Sequence, residues 1–369
     1  MNNDIDLRRE RNRKIIRAVI DKAETECPGS LALIGVNGSF ATGRDHPRSD
    51  LDLLIVINDD AGYAVSAAFI QDDMQVGHDL YCVTWDRLRE TARCESPQLA
   101  KLLDSKIVYS SAKEYEERLE AIRAEALSIL RAPFGMEDLE RAEKVLREAE
   151  HCYAMTRFAE TPSDIRLWSA ALISEAEDAL TLLNKEYYRL GVKFRMEELA
   201  RLKNRPDDLC ALIGRITDAV GTDEIRRASD ELMKAVLAVF RKTRDAVESR
   251  KERPGADDLV GTYEEMFSNW RGKMHLAAET NDRHLALESL LCFRGMLIDE
   301  IGSRYEIGDF DVMAAYDPDD LAKTEAAFDK LLAAYRSVCE KSGVKIREYA
   351  DVDAFIGDYL RKTRRPPNP

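Results

Sequence analysis

No apolar run in this chain approaches the roughly 20 residues that cross a bilayer as a helix. The opening stretch MNNDIDLRRERNRK also has none of the apolar character of a signal peptide. The expectation is a cytoplasmic protein with no membrane contact. Cysteines are few: Cys27, Cys82, Cys94, Cys152, Cys210, Cys292 and Cys339 are odd in number, scattered, and never at C-x-x-C spacing. That pattern excludes a zinc ribbon and a disulfide framework and reads as reduced thiols. The five histidines, His46, His78, His151, His275 and His284, are too dispersed for an evident metal centre. Walker loops, H-E-x-x-H spacing and a Ser-His-Asp order are all missing from any supporting context. Positive charge is short as well, with 55 Lys+Arg against 69 Asp+Glu and a net charge of −14. A chain so acidic offers no broad basic surface to a nucleic-acid backbone, which argues against nucleic acid as substrate. A small polyanion such as a nucleotide stays open, because a local site with metal ions binds one whatever the net charge.

What is present describes a soluble globular protein: 45% hydrophobic and 34% charged residues, spread along 369 positions. Domains most often hold roughly 100–150 residues, so two or three are expected. The first 110 residues alternate helix and strand signals. A helical stripe of Ile15, Ile16, Val19, Ile20 and Ala23 ends at Pro28-Gly29, and Leu31–Val36 follows as an apolar run leading into Asn37-Gly38-Ser39. Further strands are expected at 51–57, 76–84 and 106–109, with an amphipathic stretch at 86–103. The predicted fold class is α+β: a small mixed sheet flanked by helices, followed by an all-α bundle region.

From Ala112 onward, Ala/Glu/Arg/Leu-rich segments with helical stripes take over, broken at Pro133, Pro162, Pro206, Pro254 and Pro318. Met155–Thr161 lines up with Met274–Thr280, Leu183–Tyr188 with Ile298–Tyr305, and Pro206-Asp-Asp-Leu209 with Pro318-Asp-Asp-Leu321. These matches suggest a duplicated helical unit and the domain division 1–111, 112–252 and 253–369. The basic tail from Lys362 to Pro369 reads as a disordered end.

The chemistry concentrates in one stretch. Gly38-Ser39 lies where a strand gives way to a turn, a place where a backbone without Cβ can approach a phosphate and offer N–H groups. Ten residues later comes Asp50-Leu51-Asp52. On an extended chain, residues i and i+2 project to one face, so the two carboxylates stand together while Leu51 and Leu53 turn to the core. Two such acids repel, and a divalent cation between them relieves the repulsion; hard Mg²⁺ prefers carboxylate oxygens together with phosphates. Asp79, in the apolar run Val76–Val83, is the third candidate ligand, because an acid inside an apolar strand is costly unless paired or metal-bound.

Gly38-Ser39, the ten-residue gap, Asp50-Leu-Asp52 and the later Asp79 resemble the nucleotidyltransferase superfamily that includes DNA polymerase beta, the minimal nucleotidyltransferases and the kanamycin and streptomycin enzymes. The resemblance covers about the first 110 residues and extends to the segment Leu102–Tyr109. A weaker likeness, through Ala179–Tyr188 and Lys193, links the helical part to antibiotic-type relatives. The resemblance implies that Asp50, Asp52 and Asp79 bind Mg²⁺ or Mn²⁺ and serve as the catalytic acids, and that Gly38 and Ser39 hold the phosphates of an NTP. A nucleoside monophosphate, expected to come from ATP, would then pass to a hydroxyl of a small-molecule, aminoglycoside-like acceptor. It also implies a general base on the first helix after that domain, where Glu148 and Glu150 stand. This chain departs from many relatives at Thr42, where they carry an arginine; Arg44 is the substitute at hand. Two other readings stay open: a protein-adenylylating enzyme of antitoxin type, and a non-catalytic nucleotide-sensing scaffold. A homodimer, as in some relatives, is open too.

Overall fold

The computed structural model describes residues 2–46, 48–248 and 251–363, and side chains within 10–46, 48–247 and 251–360. Its contacts gather into two compact units, Met1–Arg244 and Asp245–Pro369.

The first unit opens with α1 (Asn2–Glu26) and a mixed sheet. β1 (Leu31–Val36) pairs antiparallel with β2 (Leu53–Ile57), and α2 (Gly38–Thr42) lies in the connection between them. β3 (Ala67–Gln71) and β4 (Val76–Leu80) form a separate antiparallel hairpin, whereas β5 (Cys82–Thr84) joins β2 in parallel. After α3 (Trp85–Ala92) and α4 (Ala100–Leu103), β6 (Lys106–Ser110) completes the order β5-β2-β1-β6. β1 and β2 are continuous apolar runs because they are covered on both faces. On one face Leu31, Ile34, Leu53 and Ile55 meet Val19, Ile20 and Ala23 of α1. On the other, Leu33, Leu54 and Val56 meet Leu88, Leu102 and the Leu119, Ile122 and Ala126 stripe of α5 (Lys113–Arg131). Each such fully buried Leu or Ile contributes roughly 1.5–3 kcal/mol.

The helices that follow are α6 (Met136–Phe158), α7 (Pro162–Leu183), α8 (Arg195–Leu199), α9 (Leu209–Asp218) and α10 (Thr222–Glu248). α6 and α7 pack along one another. The start of α7 is written locally: the Thr161 hydroxyl accepts the Asp164 N–H, and Pro162 occupies the first turn, where its missing N–H costs nothing.

The second unit contains α11 (Ala256–Leu259), α12 (Thr262–Met266), α13 (Gly272–Thr280), α14 (Arg283–Arg294), α15 (Leu321–Lys341) and α16 (Val352–Thr363), with π-helical segments at Phe267–Arg271 and Gly295–Gly302. Its core is built from Leu259, Met266, Met274, Leu290, Phe293, Phe328, Leu332 and Tyr335. Among the described residues no helix is long and apolar enough to cross a membrane.

The expected class, a small mixed sheet with helices and then a large helical region, is the observed one. Two strand expectations change in detail, and one strand was not expected. β2 begins at Leu53 rather than Leu51, the run 76–84 is divided at Tyr81 between the β3–β4 hairpin and the sheet, and β3 had no expectation at all. Within each unit the aligned segments stand at similar places: Met155–Thr161 runs out of α6 into the N-cap of α7, and Met274–Thr280 closes α13 just before Asp282, the N-cap of α14. Asp208 and Asp320, from the two Pro-Asp-Asp-Leu segments, are the N-caps of α9 and α15. Of the basic tail, α16 carries the chain through Thr363, and residues 364–369 lie outside the described residues.

Candidate active site

Asp50, Leu51 and Asp52 form the extended lead-in to β2. The Asn37 N–H donates to the Asp52 carbonyl at 3.0 Å, so the β1–β2 pairing continues up to the second acid. Alternation holds there: Leu51 is buried, and Asp50 and Asp52 are half-buried on the other side. Asp52 is raised above the ordinary carboxylate range, first by burial and then by the charge of Asp50, with Lys101 of α4 and Lys193 pulling the other way. Two like charges therefore share this locus at an electrostatic cost.

Gly38 lies against that pair. Its φ of +68° is left-handed, and an added Cβ would collide with the Asp52 carboxylate. The turn is closed by the Thr42 hydroxyl, which donates to the carbonyls of Gly38 and Ser39 at 3.1 Å each, and by the Arg44 N–H on the Ser39 carbonyl at 2.9 Å. Thr42 thus binds the loop itself. Arg44 is engaged elsewhere: its guanidinium makes bonds of 2.8 and 3.2 Å to the Glu197 carboxylate and lies over the Phe194 ring.

β4 runs beside the acid pair, since the Leu51 N–H donates to His78 Nδ1 at 3.4 Å. His78 is buried and stacks on Phe69 at 4.9 Å. Burial pushes its pKa down and nearby Arg11 adds to that, while Asp50 and Asp79 oppose it. Asp79, the next residue along, is on the exposed side of β4. The structure thus brings Gly38, Asp50 and Asp52 together. Among the described residues, however, no group of three or more His, Cys, Asp or Glu side chains is placed to share a metal ion. Asp50 and Asp52 suit a hard divalent cation by donor chemistry and by their mutual repulsion, with the Gly38 backbone as the adjoining wall. Asp79 stands apart from that pair on the exposed side of the neighbouring strand.

The helical part of this unit reaches the same loop. Lys193 Nζ is 3.1 Å from His46 Nε2. The segment that carries Lys193 is anchored through Arg195, whose guanidinium lies over the Tyr188 ring and bonds Asp178 at 3.3 Å. Beside it Glu177, only 8% exposed, is pushed up to about 7, mainly by burial; Arg195 opposes this and Asp178 adds to it. Glu148 and Glu150 are exposed on α6. Lys101, Arg195 and Glu177 escaped the sequence reading: each owes its character to tertiary neighbours, and nothing in its local pattern marks it.

The family model of the nucleotidyltransferase domain matches residues 13–130, from α1 through α5. The chain carries a nucleotidyltransferase domain. That domain supports a general nucleotidyl-transfer function. No curated protein matches the chain. Within the nucleotidyltransferase domain, the Gly38 turn and the Asp50–Asp52 pair are the point where backbone, carboxylates and cationic side chains converge.

Proposed function

We propose that the chain is a metal-dependent nucleotidyltransferase that moves a nucleoside monophosphate, from ATP by preference, to a hydroxyl of a small-molecule acceptor of aminoglycoside type. The observation that carries this reading is the contact of Gly38 with Asp52: a phosphate-facing turn and a repelling acid pair are built as one locus. Asp50 and Asp52 would hold Mg²⁺ or Mn²⁺; Asp79, the third ligand expected from the sequence, lies on the opposite face of β4 from His78, which touches the acid segment, and would have to swing over to join them. When bound, the ion would offset phosphate charge and, through the phosphoryl oxygens, make the reacting phosphorus more electrophilic. The chain's own residues bind and orient. The Gly38 and Ser39 backbone faces the phosphates, and Lys101 and Lys193, whose fields already reach Asp52, offset the triphosphate's charge. The helical residues from 112 onward select the acceptor, and 253–369 derives from 112–252 by duplication; the position of both Pro-Asp-Asp-Leu segments at a helix start, α9 and α15, supports that relation, although only Asp320 caps its helix with its side chain.

The test is transfer of label from ATP, GTP, CTP and UTP to a panel of aminoglycosides and to lysate protein, with calorimetry of ATP binding in Mg²⁺ and in EDTA. Metal-dependent transfer to a small molecule is the expected result. Label on protein alone would replace the acceptor class, and equal ATP affinity in Mg²⁺ and EDTA would overturn the metal reading.

A further inference from the structure

Next to α2, on the side of α1, a cavity of about 310 Å³ is lined by Asn12, Arg13 and Ile16 of α1, Val36 of β1, Phe40 of α2, and Leu51. This volume lies at the small end of ligand pockets, which run roughly 300–1,000 Å³, and suits a one- or two-ring molecule. Four of the six lining side chains are apolar. The two that are not sit side by side in sequence, and both carry N–H donors. Asn12 is only 4% exposed; its Oδ1 accepts from Arg11 Nε at 3.0 Å, and its Nδ2 has no partner among the described residues. A buried amide N–H left unpaired costs on the order of 1–3 kcal/mol, a cost that a ligand oxygen would remove. Arg13 is exposed and forms no ion pair among the described residues. Arg11, by contrast, is committed to the Ser49 carbonyl at 3.0 Å, which fixes the Asn12 amide's orientation by holding its oxygen.

We propose that this cavity is a binding site for a small carboxylate with a flat apolar body, such as an aromatic acid. The carboxylate accepts from Asn12 Nδ2 and pairs with Arg13, while the ring lies among Ile16, Val36, Phe40 and Leu51. Phe40 belongs to the same short helix as Gly38 and Ser39, and Leu51 separates Asp50 from Asp52, so an occupant touches both segments that carry the candidate active site. The site is independent of the nucleotide reading, because it is defined without Asp50, Asp52 or the Gly38 turn's N–H groups.

The experiment titrates the full chain, without nucleotide, with benzoate, indole-3-carboxylate and the uncharged benzyl alcohol, followed by protein-observed NMR. Saturable binding of indole-3-carboxylate below about 10 mM is expected, a weak affinity typical of fragments. Arg13→Gln, an exposed change that leaves packing alone, should weaken both carboxylates about tenfold and leave benzyl alcohol unaffected. Asn12→Asp replaces the donor by an anionic acceptor while keeping the Arg11 contact, and should abolish carboxylate binding; circular dichroism checks its fold. No saturable binding by any probe overturns the proposal. So does carboxylate binding that survives Arg13→Gln at full strength.

Discussion

The two compact units treat their acidic side chains in opposite ways. In the first, Asp52, Glu175, Glu177 and Asp178 are all raised above their ordinary pKa, burial being the leading cause in each case. Glu197, paired with Arg44, is the exposed exception. In the second, Asp258, Asp317 and Glu348 are held low by hydrogen bonds from Tyr305, Lys323 and Arg336. Burial alone would raise Glu264 there, but backbone and side-chain bonds from Arg347 outweigh it. These carboxylates of the second unit gain from their charge, whereas burial makes the charge of these four in the first unit costly. Electrostatic cost of that kind gathers where a protein does chemistry, and ordinary pairing where it serves as scaffold.

The sharpest test of this contrast replaces one acid from each unit. Asp52→Asn should lower nucleotidyl transfer by roughly a thousandfold, as expected when several kcal/mol of charge stabilisation is removed. The same variant should melt no lower than the parent at neutral pH, because a like-charge repulsion is gone. Asp317→Asn should show the reverse, full transfer and a lower melting temperature. Equal losses of activity in the two would dissolve the comparison.

Next in size is Gly38→Ala. Strain at a left-handed φ together with the collision at Asp52 should weaken Mg²⁺-ATP binding by about tenfold or more, with roughly 1–2 kcal/mol lost from the fold, read by calorimetry and thermal melting. Unchanged affinity would separate the turn from the acid pair.

Glu177→Gln gives a pH signature. A carboxyl whose folded pKa is raised to about 7 takes up a proton on folding between its ordinary value and 7, so its charge weakens the fold as pH rises through that window. Glutamine removes the dependence, and the variant should gain about 2–3 kcal/mol at pH 8 relative to the parent while matching it near pH 4. A gain independent of pH would mean that packing, not ionisation, was changed.

The smallest effect is expected at Glu348→Gln. A lowered carboxyl stabilises above its ordinary pKa and loses that contribution as pH falls through the folded value. The variant should melt slightly lower at pH 7, and the difference should shrink in acid. A difference that grew on acidification would reverse the assignment of Arg336 as its support.

Much of the sheet was legible because covered strands announce themselves. Leu31–Val36 is apolar at every position except Gly35, and it was located at its observed bounds. The expected strand begins two residues before β2 because the lead-in through Asp52 is extended and buries Leu51, while the regular strand starts at Leu53. The run from Val76 to Thr84 carries one unbroken pattern, and only the chain's passage from the hairpin to the sheet divides it at Tyr81. β3 stayed invisible since Phe69 and Ile70 are exposed and nothing in Ala67–Gln71 alternates. At the site, the nearness of Gly38 to the two acids could be inferred from strand, turn and gap. Glu177 could not, because nothing in Ile173-Ser-Glu-Ala-Glu-Asp178 marks it out from Glu175, and its partner Arg195 is distant in sequence.

Gly38 also limits how this protein can change over time. An alanine at 38 would find its methyl group in the space of the Asp52 carboxylate, and the obvious rescue, a smaller residue at 52, removes the charge that gives the locus its chemistry. Either step alone is harmful, and the pair relieves the collision but neither the left-handed strain nor the loss of charge. Positions 38 and 52 are thus locked together in sequence space. In an exhaustive substitution library selected for transfer, both columns should be empty, and no double variant should refill them.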